Sequence, residues 1–350
     1  MNTKLFQPII LAVLLSLALA SCSNQVKRLH TPKNGLTFAF YNVENLFDTI
    51  DDQTINDEEF LPSAKGQWNT AKLNRKLDNI ARVISSMDTT DFPDMLGLAE
   101  IENVDVLKML VSNQLLEDAD YQYIHYADHD PRGIEVAFMY RPEFFRPVYS
   151  TTLDYTVDSL PNANPRHILY IKGIDASDDT LHLFINHWTS RFGGKDETVP
   201  SRNAAGSFMR KMADSLFAKD ANTNIIIAGD LNDNPDDESL MAHLQALPVD
   251  QTIGEKQLYN LAFNPFKAGN GTLYYKSWDF FDQIIVSSNL LMPNKGKLKT
   301  GEIQIVNRDW MLFFNKNGVG KPNRTYSGGK YFGGYSDHLP VMIRLSGKSK

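Results

Sequence analysis

Residues 225–233 read IIIAGDLND, and the fold turns on them. Three isoleucines and an alanine in succession, with no polar residue between them, make a strand that needs an apolar layer on each face. Gly229 permits a tight exit from such a strand, and Asp230 and Asn232, two apart, share one face of an extended segment. The stretch therefore combines a doubly covered strand with polar chemistry at its end.

Working outward, short runs rich in β-branched or aromatic residues recur: Leu36 to Val43, Met95 to Ala99, Val136 to Tyr140, His167 to Ile174, Leu181 to Asn186, Asn224 to Ala228, Phe281 to Ser287 and Leu339 to Leu345. Helical patterns lie between them. Leu73, Leu77, Ile80 and Ile84 follow a cap at Asn69 or Thr70, and a second helix is expected to open at Pro200 with Ala204, Phe208, Met212 and Leu216 on one face. Strands mixed with helices predict sheets covered by helices, an α/β or α+β class. No repeat or long linker divides residues 34–347, which read as one domain.

The first residues differ from the rest. Lys4 precedes an apolar stretch from Ile9 to Ala20, and Leu19-Ala20-Ser21-Cys22 follows. A helix over that stretch is about 18 Å long, against roughly 30 Å of bilayer hydrocarbon, so it reads as a secretory signal and not a span. The tetrapeptide resembles a lipoprotein lipobox, which implies a signal peptide at 1–21, cleavage before Cys22, acylation there and a polar tether at 22–33. The expected location is the bacterial cell envelope, on the periplasmic or the exposed side of the outer membrane. Cys22 is the only cysteine, so no disulfide forms within the chain. Losing residues 1–21 removes one lysine and takes the formal charge from −7 to −8, which argues against broad polyanion binding but permits local basic contacts.

Several predicted strands begin or end in carboxylates, amides or histidines. FYNVENLFD carries Asn42 and Glu44 at spacing two, MLGLAEIEN delivers Glu100, and FINHWTSRFGG delivers Asn186 and His187. FDQIIVS opens on Asp282, and YSDHLPV supplies Asp337 and His338 before the last strand. Oxygen ligands without cysteine suit magnesium, with manganese or calcium as alternatives, and a magnesium site suits phosphoester hydrolysis. Each histidine needs an acid to fix its tautomer; Glu135 in RGIEVAFMYR and Asp282 are available, and the sequence leaves open which meets which.

Taken in order, NVEN, a strand-terminal Glu, NHW, GDLND, FDQI and SDHLPV resemble the endonuclease/exonuclease/phosphatase superfamily over nearly all of residues 36–346. The resemblance implies a four-layer DNase I-like sandwich, two mainly antiparallel sheets packed face to face with helices outside. It implies that Asn42, Glu44, Glu100 and Asp337 surround metal, and that Asp230 and Asn232 hold the nucleophilic water and a phosphate oxygen. It also pairs His338 with Asp282 and His187 with Glu135, leaving Asp230 and His338 both as candidate bases.

Lys321 to Tyr335, KPNRTYSGGKYFGGY, leads into Asp337. Lys321 and Arg324 are candidates for phosphate, and Tyr326 and Tyr335 for a base or sugar, with Arg191 and Arg202 as further phosphate contacts. His125, His129, His167, His182 and His243 lack such support and read as surface or satisfied core residues. The expected function is a lipid-anchored, monomeric nuclease acting on DNA or RNA. The alternatives are a phosphatase or phosphodiesterase for a small phosphoester or phospholipid headgroup, and a non-catalytic surface lipoprotein.

Overall fold

In the strand Asn224–Asp230, Ile226 and Ala228 enter one hydrophobic core while Ile225 and Ile227 enter another. Both faces are covered, which is why the segment carries no polar alternation. The computed structural model describes residues 29–250, 252–292 and 298–347. The predicted signal peptide, Cys22 and most of the predicted tether lie outside the described residues. Among the described residues no helix is long and apolar enough to cross a membrane.

The first sheet contains β1 (Leu36–Leu46), β2 (Met95–Ile101), β3 (Gln122–His125), β4 (Glu135–Tyr140), β14 (Leu298–Thr300), β15 (Gln304–Ile305) and β20 (Val341–Gly347). Its order is β14-β20-β1-β2-β4-β3, with β15 also on β20. The second contains β5 (Phe145–Leu153), β6 (Ile168–Asp175), β7 (Thr180–His187), β8 (Asn224–Asp230), β9 (Ala246–Pro248), β10 (Leu258–Asn260) and β13 (Asp282–Ser287). Its order is β5-β6-β7-β8-β13-β10-β9. The pairings β1·β2, β7·β8 and β9·β10 are parallel and the remaining pairings in both sheets are antiparallel. Three ribbons complete the strands: β11–β12 (Leu273–Tyr274, Trp278–Asp279), β16–β17 (Leu312–Phe314, Gly320–Pro322) and β18–β19 (Tyr326–Ser327, Lys330–Tyr331).

The sheets pack on each other through Phe38, Phe40, Phe138, Leu183, Ile185, Ile226, Ile284 and Ile343. Outside the first sheet lie α1 (Thr70–Ser85) and α2 (Val104–Val111), and outside the second lies α3 (Lys195–Lys219). This is the expected four-layer sandwich. Asn69 caps α1, its side chain accepting from Lys72 N, and Leu73, Leu77, Ile80 and Ile84 bury their stripe against the sheet.

The second helix starts five residues earlier than Pro200, at Lys195. Pro200 then lies in the second turn and forfeits one backbone hydrogen bond. The fully buried Arg202 secures that end by donating to Lys195 O at 3.1 Å and Thr198 Oγ1 at 2.7 Å. Gly229 also has a different reason from the one the sequence suggests: a Cβ there would stand 2.2 Å from Asn186 O, so the residue is small because β7 approaches closely.

Candidate active site

Strand parity brings the site together. Along β1, β7, β8 and β13 the residues facing the other sheet are Phe40, Ile185, Ala228 and Ile284, and the next inward positions are Asn42, His187, Asp230 and Asp282. Register then aligns three of them in a row, with His187 opposite Asp230 and Asp230 opposite Asp282. The inter-sheet core therefore gives way to a polar layer one residue deep.

Glu100 follows different rules. Alternation would turn it toward the helices, but it is left-handed, with φ 66°, and the β1·β2 and β2·β4 registers both shift nearby. That bulge sends Ile101 to the outer core and places Glu100 against Asn42, whose Nδ2 donates to Glu100 Oε1 at 3.1 Å. A second irregularity, Glu44 and Asn45 at φ 54° and 52°, breaks the shared face expected of Asn42 and Glu44. Asn45 N donates to Glu100 Oε2, whereas Glu44 turns to Thr325 N at 2.6 Å, Arg324 Nε at 3.3 Å and the buried Lys76 Nζ at 3.8 Å. Asn232 is left-handed too, φ 51°, and its N–H donates to Asp230 Oδ1 while Nδ2 donates to Trp188 O. Four non-glycine residues with left-handed backbone, Glu44, Asn45, Glu100 and Asn232, thus stand at the site.

Asp230 Oδ2 is the focus. Asn42 Nδ2 donates to it at 3.0 Å, and His187 Nε2 and His338 Nε2 lie 3.6 and 3.8 Å away. His338 is held from behind by Asp282, with Nδ1 to Oδ2 at 2.7 Å, and from below by Ser336, whose Oγ accepts from His338 N and donates to Asn42 O. Burial opposes charge on His338, but Asp282 and Asp230 outweigh it and raise its proton affinity well above that of a free imidazole. His187 goes the other way: burial, then Arg166, His338 and Arg132, keep it neutral. Burial lifts Asp230 to about 7, with His338 opposing and Asp282 and Glu100 assisting.

Five carboxylates, Glu44, Glu100, Asp230, Asp282 and Asp337, outnumber the cations paired with them, Lys76, Arg324 and a protonated His338. Burial, reinforced by Asp337, lifts Glu44 to about 7 as well. An excess of carboxylates in an oxygen-rich setting fits a divalent cation.

The pairing of His187 with Glu135 is corrected. Glu135 contacts His125 and accepts from Asp128 N at 2.8 Å. On β4, Val136 and Phe138 face the other sheet, so Glu135 belongs to the opposite parity, as does His125 on β3. Arg202 is also corrected: fully buried, it holds Asp233 and the start of α3 and is closed to a substrate. Tyr326 and Tyr335 likewise turn to α1, Tyr326 donating to Gly66 O beneath Lys72 and Tyr335 accepting from Arg82.

Arg191, Lys321 and Arg324 do line a cleft of about 820 Å³ that opens on Asn232 and Asp337. Arg191 is tied to Asp233 and Asp237 at 2.8 and 2.5 Å, and Arg324 to Asp337 at 2.6 Å. The aromatic rings of this cleft are ones the sequence reading passed over, Tyr274, Tyr275, Phe281 and the highly exposed Phe192. Phe192 precedes Gly193-Gly194, the only local signal that could have marked it. Lys76, buried beneath Glu44, was missed because it interrupts nothing in its helical pattern.

The family whose description is endonuclease/exonuclease/phosphatase matches residues 37–347. The chain belongs to the endonuclease/exonuclease/phosphatase family. Its members are phosphoester hydrolases that depend on divalent metal, so this chain is placed among such enzymes. Solved structures share the fold. An endonuclease/exonuclease/phosphatase family protein of Bacteroides thetaiotaomicron is 19% identical with a TM-score of 0.56, covering 90% of this chain and 99% of its own. A mannosyl-6-phosphatase of the same organism is 17% identical, TM-score 0.53, covering 89% and 99%. D. rerio TDP2 complexed with a single-strand DNA product is 15% identical, TM-score 0.51, covering 89% and 98%. No curated protein matches the chain.

Proposed function

We propose that this chain is a magnesium-dependent phosphodiesterase that cleaves DNA or RNA, with Glu100, steadied by Asn42, and Asp337, held by Arg324, on the metal side of the cleft. The convergence on Asp230 Oδ2 carries the reading: a neutral imidazole, a charged imidazole and an amide surround one carboxylate oxygen. Magnesium, when bound, supplies charge to the phosphate oxygens. His338, kept protonated by Asp282, faces the same phosphate and stabilises the negative charge of the transition state. Between the two candidate bases the charge states favour Asp230, since His338 already holds its proton. Asn42 and Asn232 N fix the Asp230 carboxylate for a water. Glu44 is a positioning group, since Thr325, Arg324 and Lys76 occupy it.

Nucleic acid is favoured by exposed rings standing beside cations: Phe192 is 93% exposed and Tyr275 78%, next to Arg191, Lys321 and Arg324. A small phosphoester or phospholipid headgroup is the second reading, favoured by the acidic net charge. The test is the purified chain with magnesium on single-stranded DNA, RNA, plasmid and a phosphosugar panel, beside His338→Ala. Magnesium-stimulated cleavage of the polymers, lost in the variant, is expected; turnover of phosphosugars alone moves the assignment to the second reading. The envelope anchor at Cys22 belongs to the same proposal, with Cys22→Ala expected to shift the protein from the membrane to the soluble fraction.

A further inference from the structure

His129 and His167, which take no part in the cleft, form a pair with unusual surroundings. His129 Nε2 and His167 Nε2 stand 2.6 Å apart, with the rings nearly perpendicular, and Asp154 Oδ1 lies 2.8 Å from the same His167 nitrogen. That nitrogen carries at most one proton, so it cannot donate fully to both partners. Asp128 brackets the pair, its Oδ1 accepting from His129 N at 2.6 Å and its Oδ2 from His167 N at 2.7 Å. The His167 side chain is only 8% exposed, and its Nδ1 is buried with no hydrogen bond, 3.6 Å from Asp128 Oδ1. One ligand atom from each of Asp128, His129 and His167 falls within 4.8 Å of the others.

We infer that this cluster is a second metal site, taking a zinc-class cation through His129 Nε2, His167 Nε2 and Asp154 Oδ1. Two imidazole nitrogens select zinc, cobalt or nickel over magnesium, whose ligands are oxygens. His167 Nδ1–H then points at Asp128, the carboxylate that characteristically stands behind a ligating histidine. Tetrahedral zinc holds two nitrogens about 3.3 Å apart. The rings must part by under an ångström, which the exposed His129 permits. The three ligands come from both sheets: His129 from the β3–β4 loop, Asp154 from just past β5 and His167 from just before β6. A bound cation therefore staples the two sheets at one edge. It also fixes the loop bearing Arg132, which donates to Asn45 Oδ1 beside the cleft.

The experiment titrates the full chain with zinc chloride under excess magnesium, in wild type and in an Asp230→Asn/Asp337→Asn background that removes the cleft's contribution. In both, one zinc equivalent is expected that disappears in His129→Ala and in His167→Asn, and zinc is expected to raise the unfolding midpoint of wild type but not of His129→Ala. Cobalt in place of zinc should give a visible absorption band lost in the same variants. His129 is exposed, so its alanine variant folds even if the buried His167 variant does not, as circular dichroism will show. Unchanged zinc stoichiometry in His129→Ala, or no zinc bound in the Asp230→Asn/Asp337→Asn background, overturns the proposal. In that case the two imidazoles share a proton.

Discussion

His338 Nδ1 and Asp282 Oδ2 are 2.7 Å apart in a pocket where Asp282 is fully buried. The carboxylate cannot reach water, so its charge acts undiminished on the imidazole it touches. Asp282→Asn keeps the shape and removes the charge, and the proton affinity of His338 should fall. Catalysis that needs the imidazolium should then lose about 100-fold in kcat near neutral pH, and the alkaline limb of the kcat/KM profile should move to lower pH. A pH–rate profile of both proteins reads this. An alkaline limb left in place would mean that His338 is not the charged group.

Glu135 contacts His125 and not His187, which yields the opposite expectation for an acid that the sequence reading placed at the centre. Glu135→Gln should keep kcat within about 3-fold, whereas His187→Ala, which empties a position facing Asp230 and Glu100, should lose about 100-fold. Initial rates on one phosphodiester suffice. A loss of equal size in both would restore the pairing.

The contrast between these two residues shows what the sequence could carry. Asp230, Asp282 and His187 were legible as polar residues at the ends of apolar strands, and the family resemblance grouped them; the register then sets them side by side in one sheet. Glu135 was not, because its pairing with His187 rested on the resemblance alone, while β4 turns it to the face away from the other sheet, beside His125. Glu44 and Glu100 depend on left-handed residues at 44, 45 and 100 that no pattern of hydrophobicity announces. Sheets covered by helices were readable from the doubly apolar strands and the four layers came from the resemblance, whereas the three short ribbons that frame the cleft were not legible, being two or three residues per strand.

Lys76 and Glu44 form a buried ion pair at 3.8 Å, and Lys76 also donates to Thr325 Oγ1 and Tyr335 O. Lys76→Met should destabilise the fold by about 3 kcal/mol, since it leaves a buried carboxylate short of a cation and two acceptors unmet. Adding Glu44→Gln should recover part of that loss, so the double-mutant cycle closes with a favourable coupling term of about 1 kcal/mol or more. Urea unfolding of the four proteins measures it. Strict additivity would show that Arg324 alone balances Glu44.

Asp94 lies far from this chemistry, under the first sheet, where it accepts from Thr37 N and Thr37 Oγ1. Burial raises its pKa from 3.8 to about 6 against the pull of those bonds and of Arg141. The folded state then binds the proton more tightly than the unfolded chain, so between about pH 4 and 6 this group's contribution to stability falls as pH rises. The loss is complete above the folded value and amounts to at most about 3 kcal/mol. Asp94→Asn removes the titration, so the stability difference, variant minus wild type, should climb from pH 4 to 6 and then level off. A difference flat across that range would mean the carboxylate is paired strongly enough by Arg141 to titrate normally.

Phe192 and Tyr275 stand exposed at a cleft that also holds Arg191, Lys321 and Arg324. Exposed rings gain nothing from the core, so replacing them tests recognition without a stability effect. If bases stack on them, Phe192→Ala and Tyr275→Ala should each raise KM for single-stranded DNA or RNA about 10-fold, from roughly 1 to 3 kcal/mol of stacking per base. kcat should stay nearly unchanged, because the rings touch no reacting atom. A substrate without a base, such as a phosphosugar, should show no change in KM. If Arg324 meets phosphate and not the base, Arg324→Ala should raise KM for both kinds of substrate, and it should also loosen Asp337. Equal KM for polymers in wild type and the ring variants, with efficient turnover of the phosphosugar, would remove nucleic acid as the substrate while leaving the hydrolytic site intact.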